Sequence, residues 1–149
     1  MFVPGIYPAS VLQFFKPKDR FLKWMRKEYA GQRVYDVGAG TGHVSETLRR
    51  VGVNAIPMDL GFGDNPEVFL ADGTSFPYEP DSVVMLCRPC HGGFPLLTIM
   101  QAQRRGVATI LYVGLERNRL IDLDVEARKF KRVLTDVGDE GENVWRYTR

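Results

Sequence analysis

The sequence predicts a three-layer α/β sandwich around a mostly parallel central sheet. Two observations carry that prediction. Short apolar runs of strand length alternate with stretches of helical periodicity, and the first of those runs passes through a glycine-rich turn directly into a helix. The bulk numbers agree: 149 residues, 44% hydrophobic and 26% charged, suit one domain over 1–149 with one core.

In chain order, the first element is a basic helix over 18–30, with Pro17 suited to its start and Gly31 to its end. Phe21, Trp24, Met25 and Tyr29 fall on one stripe, so the 1–31 segment is expected to pack on the core. A short apolar strand over 32–37 follows and runs into Gly38. A helix over 43–51 turns Val44, Leu48 and Val51 inward and stops at Gly52. The second strand covers 53–58 and ends at Asp59. The run from Gly61 to Pro66 is a loop by composition. A third strand over 68–71 ends at Asp72-Gly73, and a fourth, strongly apolar one covers 82–86. Pro95 opens a helix with Leu96, Ile99 and Met100 facing inward, closed by Gly106, and 107–113 is a fifth strand. Leu123, Ala127, Phe130, Leu134 and Val137 recur at helical spacing, predicting a final helix over 122–137, and 143–148 forms a last strand.

Several function classes are excluded or made unattractive by composition. No apolar stretch of about 18 residues exists, so no membrane span is expected. The start, Met1 to Ser10, lacks the basic-then-apolar order of a secretory signal, and a cytoplasmic location is expected. Two cysteines, Cys87 and Cys90, cannot make a disulfide framework. The net charge of +2 does not by itself imply nucleic acid. Its distribution says more: Lys16, Lys18, Arg20, Lys23, Arg26, Lys27 and Arg33 stand against Asp19 and Glu28. A solvated helix face accounts for this excess, and a polyanion-facing arm is the alternative.

The chemistry concentrates at Asp36-Val37-Gly38-Ala39-Gly40-Thr41-Gly42. A strand, a glycine turn and a helix bring backbone N–H groups and the positive end of a helix dipole to one point. Glycines suit it because a Cβ would block the turn or the ligand's approach. The spacing is G-x-G-x-G, and His43 stands where a dinucleotide fingerprint has its third glycine. Asp36 would repel a pyrophosphate and suits a ligand that brings an ammonium group. His43 itself reads as a cover for the helix start.

The string VYDVGAGTGHVSETL resembles motif I of the class I S-adenosylmethionine-dependent methyltransferases, a Rossmann-like fold. That resemblance implies S-adenosylmethionine as cofactor. It gives Asp36 the role of orienting the loop and meeting the methionine amino group, and lays Gly38, Ala39, Gly40 and Gly42 against the cofactor. It places Asp59 on the ribose hydroxyls with Leu60 beside it, and Asp72 with Gly73 at the adenine amino group. Asp81 to Leu86 resembles the family's fourth-strand motif, with Cys87 at its end. The resemblance covers roughly residues 32–115. Two departures mark a minimal member: the connection from Asp59 to Val68 is too short for the usual crossover helix, and the end of the chain is too short for a full terminal antiparallel hairpin.

The acceptor is expected over the carboxyl end of the fourth strand, beside Cys87-Arg88-Pro89-Cys90-His91-Gly92-Gly93-Phe94, with Arg88, Pro89 and His91 as substrate contacts. The turn lacks the Asn or Asp, Pro-Pro and aromatic pattern of amino-methylating enzymes of DNA and glutamine. Pro89-Cys90 is similar to the Pro-Cys element of cytosine-5 methyltransferases, which implies Cys90 as a nucleophile and puts Glu116 near that family's acid. Packing is the plainer role for such a cysteine. C-x-x-C with His91 also reads as half a zinc site, but only distant His43 remains to complete it, so no metal is expected. Arg88 binds an acidic substrate group or makes a surface salt bridge. The resemblance thus implies a methyltransferase acting on a small-molecule, protein or nucleic-acid acceptor. A cofactor-binding module without chemistry is the alternative.

Overall fold

The computed structural model describes residues 15–61, 65–90 and 92–149. The expectations that rest on Met1 to Ser10, on the middle of the Gly61–Pro66 loop and on His91 lie outside the described residues. Helices α1 (Asp19–Tyr29), α2 (His43–Arg50), α3 (Phe94–Arg104) and α4 (Glu116–Leu123) surround strands β1 (Arg33–Val37), β2 (Asn54–Asp59), β3 (Phe69–Leu70), β4 (Val83–Cys87), β5 (Thr109–Gly114), β6 (Lys131–Leu134) and β7 (Asn143–Thr148). The strands form one sheet in the order β3-β2-β1-β4-β5-β7-β6, in which β7 runs antiparallel to both β5 and β6.

Alternation along the strands builds the three layers. In β1, Val34 faces one side and Tyr35 and Val37 the other. In β4, Val83 and Met85 alternate with Val84 and Leu86. One set joins Phe21, Met25 and Leu48 beneath α1 and α2, and the other joins Ile99, Leu123 and Phe130 beneath α3 and α4. Strands buried on both faces read as continuous apolar runs, which is why β4 and β5 stand out in the sequence.

Three expectations are corrected. First, no helix covers 122–137. The helix begins earlier, at Glu116, and Asp124 turns the backbone to a positive φ of 52°. A 3-10 stretch (Asp124–Lys129) follows, and then β6. Leu123, Ala127 and Phe130 are buried as the periodicity requires, but the Arg119 guanidinium lies 3.8 Å over the Trp145 ring and Nη1 donates to the Ala127 carbonyl at 2.7 Å. These contacts with the last strand shape the segment, and 131–134 takes its hydrogen bonds from β7. Second, the terminal antiparallel hairpin, for which the sequence predicts too little room, is therefore present, with Lys131 opposite Arg146 and Leu134 opposite Val144. Third, Met100 does not face inward: Thr98, Ile99, Gln101 and Ala102 do, and Met100 is exposed. The short connection after Asp59 leads to a parallel strand all the same. β3 is two residues long, pairing Met58 with Phe69 and Asp59 with Leu70.

Candidate functional site

The sheet order reverses between β1 and β4, which lie side by side although β2 and β3 intervene in sequence. Connections leave in opposite directions there, and the carboxyl ends of the two strands open a crevice, the usual ligand position of open α/β sheets. The residues singled out from sequence gather at this end: the glycine loop after β1, Asp59 after β2, Asp72 after β3 and the Cys87 turn after β4.

The glycine loop is held from beneath. Gly38, Gly40 and Gly42 have φ of 74°, 59° and 83°, a region that side-chain-bearing residues avoid. Gly38 and Ala39 both donate their N–H to the Met58 carbonyl at 2.9 Å. Gly40 N–H donates to Asp59 Oδ2 at 2.9 Å, while Leu60 N–H donates to Asp59 Oδ1 at 2.7 Å. Asp59 thus ties the first loop to the second, and Leu60, 63% exposed, forms an apolar rim beside it. Asn65 closes the far side by donating Nδ2 to the Thr41 carbonyl at 3.0 Å. The Phe94 ring covers Gly38, where a Cβ would meet it at 3.2 Å.

Asp36 lies under the loop, 2% exposed, and Ser45 of α2 donates its hydroxyl to Asp36 Oδ2 at 2.8 Å. Burial pushes its carboxyl up to about 6; the Ser45 bond opposes the rise and the Asp59 charge adds to it. Asp72 caps its own turn: Oδ1 accepts from both the N–H and the hydroxyl of Thr74, at 2.9 and 2.7 Å, and these bonds lower its carboxyl. Gly73 is a packing position, since a Cβ there would collide with Val37 and press on the Tyr78 hydroxyl, which donates to the Gly73 carbonyl at 2.7 Å.

The turn after β4 separates its two cysteines. Cys87 packs against the α1–α2 layer, and burial, with Asp36 and Glu142 nearby, raises its thiol well above the usual range. It is a wall and not a thiolate. Pro89 is buried and Cys90 is exposed. No group of three metal-binding side chains occurs among the described residues. Arg88 adopts a φ of 44°, and its Nε stands 3.6 Å from Oε2 of the fully buried Glu142 in the β6–β7 turn. The alternative of a surface salt bridge is thus replaced by a partly buried one. His43 is exposed at the start of α2, and Glu116 opens α4 with Arg119 at 3.8 Å.

Sequence reasoning missed two residues here, Ser45 beneath Asp36 and Glu142 beside Arg88, and named Phe94 only as part of the acceptor segment, not as the ring over Gly38. Ser45 lies inside the motif string, and its short polar side chain on an otherwise buried helix face was the available signal. Glu142 had none, because it reaches Arg88 only through the antiparallel return of β7. A cavity of about 460 Å³ lined by Gly31, Gln32, Arg33, Asn54, Glu79 and Asp81 opens at the opposite, amino end of the strands. It is a strand's length away from the glycine loop, so it plays no part in this site.

No family model matches the chain. It is 35% identical over 83 residues to the ubiquinone biosynthesis O-methyltransferase of Xanthomonas euvesicatoria pv. vesicatoria. The match covers 51% of the chain, which spans about a third of that relative's length (33%). Among solved structures, it superposes with a TM-score of 0.64 on a Pyrococcus horikoshii protein provisionally named an RNA methyltransferase, at 17% identity, covering 100% of this chain and 90% of that one. A SAM-dependent methyltransferase of Aquifex aeolicus matches with a TM-score of 0.57 at 15% identity, covering 98% of each chain. The fold is that of the class I methyltransferases.

Proposed function

We propose that the chain is an S-adenosylmethionine-dependent methyltransferase whose cofactor lies in the crevice between β1 and β4. The observation that carries this is the joining of the glycine loop to Asp59 through Gly40 N–H, with Asp36 buried beneath. Asp59 and Asp72 at strand ends, with Asp36 buried beneath the loop, make this end of the sheet negative, which suits a cationic ligand and repels a pyrophosphate. The fit is also steric: the loop presents backbone without a Cβ, and Phe94 closes one side over Gly38.

When bound, S-adenosylmethionine supplies a methyl carbon already activated by its sulfonium. The protein's residues hold and orient. Asp59 ties the glycine loop to the end of β2 by accepting from Gly40 and Leu60 N–H, Leu60 offers an apolar rim to a base, and Asp36 fixes α2 to the loop through Ser45. The turn from Cys87 to Cys90 lines the acceptor side, and its protonated Cys87 thiol and buried Pro89 exclude water there. Alignment of an acceptor with a methyl carbon is the main catalytic demand, so no general base is assigned.

Calorimetry with S-adenosylmethionine tests the reading. The wild-type chain is expected to bind. Asp59→Ala is expected to bind at least about tenfold more weakly, since it removes charge-assisted hydrogen bonds from ligand and loop together. No heat at millimolar cofactor refutes the assignment, and unchanged affinity in Asp59→Ala removes Asp59 from the site. Transfer of labelled methyl to an acceptor pool then separates an enzyme from a binding module.

A further inference from the structure

The charge on α1 is not scattered. Phe21, Leu22, Met25 and Tyr29 are buried against the sheet, and Arg20, Lys23, Arg26 and Lys27 all project outward. Arg20, Lys23 and Lys27 follow the i, i+3, i+7 spacing of one helix stripe. Asp19 is the exposed acid of the helix near that face, Asp136 of the β6–β7 turn stands by its start, paired with Lys18 and near Arg20, and Glu28 is turned toward Arg146 at 3.0 Å. Among the described residues none of Lys16, Arg20, Lys23, Arg26 and Lys27 has an ion pair, whereas Lys18 is held by Asp136 at 2.7 Å. Lys131 extends the basic surface sideways: it is exposed and is the register partner of Arg146, so both point to the α1 face.

The start of this stripe abuts the candidate site. Lys18 N–H donates to the Val137 carbonyl at 2.7 Å, and Pro17 bridges Gly138 in the β6–β7 turn. That turn lies at the carboxyl end of the sheet, since Asn143 is opposite Gly114, and it carries Glu142, the partner of Arg88. The cations therefore lead from the amino end of the sheet to the rim of the crevice without leaving one helix. Arg20 to Lys27 spans about 10 Å along the axis at 1.5 Å per residue, a length over which the cations can meet successive phosphates of one strand.

We propose that the outward face of α1 is the docking surface for the phosphate backbone of a single-stranded RNA, which delivers a nucleotide to the crevice beside Arg88. Arg20, Lys23 and Lys27 form one row along the helix, which suits one backbone. An unpaired strand also offers bases free to leave their stack, which a site between β1 and β4 at the carboxyl end of the sheet requires. The proposal rests on the methyltransferase reading for the fate of that nucleotide, but docking itself needs no cofactor.

The test is fluorescence anisotropy of the full chain with a fluorescein-labelled 12-nucleotide RNA of mixed sequence between 50 and 200 mM KCl. Each phosphate contact contributes about 0.7 to the slope of log K against log salt for a single strand. The K23Q/R26Q/K27Q variant is therefore expected to lower the slope by about 2 and to bind about tenfold or more weakly at 50 mM salt. R117Q/R128Q/K129Q removes equal charge from the opposite layer and is expected to leave slope and affinity unchanged. Thermal melts confirm that both variants fold. Absence of RNA binding by the wild type, equal losses in the two variants, or tighter binding of the matching DNA strand or duplex each overturns the assignment. Cofactor calorimetry on the same samples keeps the readings apart: cofactor binding without RNA binding sinks the docking surface alone, and RNA binding without cofactor binding sinks the methyltransferase alone.

Discussion

Asp36 places a carboxylate where folding resists it, so replacing Asp36 by Asn should make the protein more stable. Burial raises its carboxyl from 3.8 to about 6, a displacement of roughly two pH units. At about 1.4 kcal/mol per unit, the ionised group costs the native state about 3 kcal/mol at pH 7. Between those two values the native state binds a proton that the unfolded chain does not. The cost is therefore present in full above pH 6, is relieved as pH falls through 6, and is gone below about pH 3.8. Asn has no charge to desolvate and can still accept the Ser45 hydroxyl bond, made at 2.8 Å in the wild type. Urea unfolding of wild type and Asp36→Asn across pH 4–8 is the assay. The variant is expected to be more stable by up to about 3 kcal/mol at pH 7, with the advantage shrinking toward zero near pH 4. A variant less stable at pH 7, or an advantage that does not change with pH, refutes the account of Asp36 as a buried charge. Calorimetry should show the same variant losing cofactor affinity, which is what would keep the acid in place despite its cost.

Two further outcomes follow from the turn after β4. Alkylation with iodoacetamide at pH 8, read by peptide mass spectrometry, should label exposed Cys90 and spare Cys87, whose thiol is raised by burial and by Asp36 and Glu142; preferential labelling of Cys87 would refute its role as a protonated wall. Glu142→Gln should destabilise the fold by about 1–3 kcal/mol in thermal or urea unfolding, less than a fully buried pair because Arg88 keeps some exposure. An unchanged midpoint would show that the pair does not anchor the β6–β7 turn to β4.

Much of this architecture was legible because its signals are local. Val34, Val37, Val83 to Leu86 and Ile110 to Val113 are buried on both sheet faces, and such strands declare themselves as unbroken apolar runs. The glycine loop was legible for the same reason: three left-handed positions within five residues leave few residue types available. The segment from Glu116 to Val137 was misread because two periodicities overlap in it. Leu123, Ala127 and Phe130 satisfy a helical spacing, yet Lys131 to Leu134 lies opposite β7, and hydrogen-bond partners distant in sequence overrode the local pattern.

The candidate site divides along the same line. Asp36, Asp59, Asp72 and the glycines are identified by strand ends and turn chemistry, which the chain carries in its own order. The surroundings of Asp72 and Gly73 emerge only in three dimensions: Thr74 occupies one Asp72 oxygen, and Val37 and Tyr78 leave no room for a Cβ at Gly73. The same holds for Cys87 and Arg88. By itself, the sequence determined an α/β sheet with an acid-flanked glycine loop at a strand end, because backbone conformation and hydrophobic alternation are properties of neighbouring residues. Only the tertiary structure decided that Ser45 sits under Asp36, that Glu142 meets Arg88, and that α1 brings its cations to the rim, because burial and charge pairing depend on residues that meet in space after the chain has returned on itself.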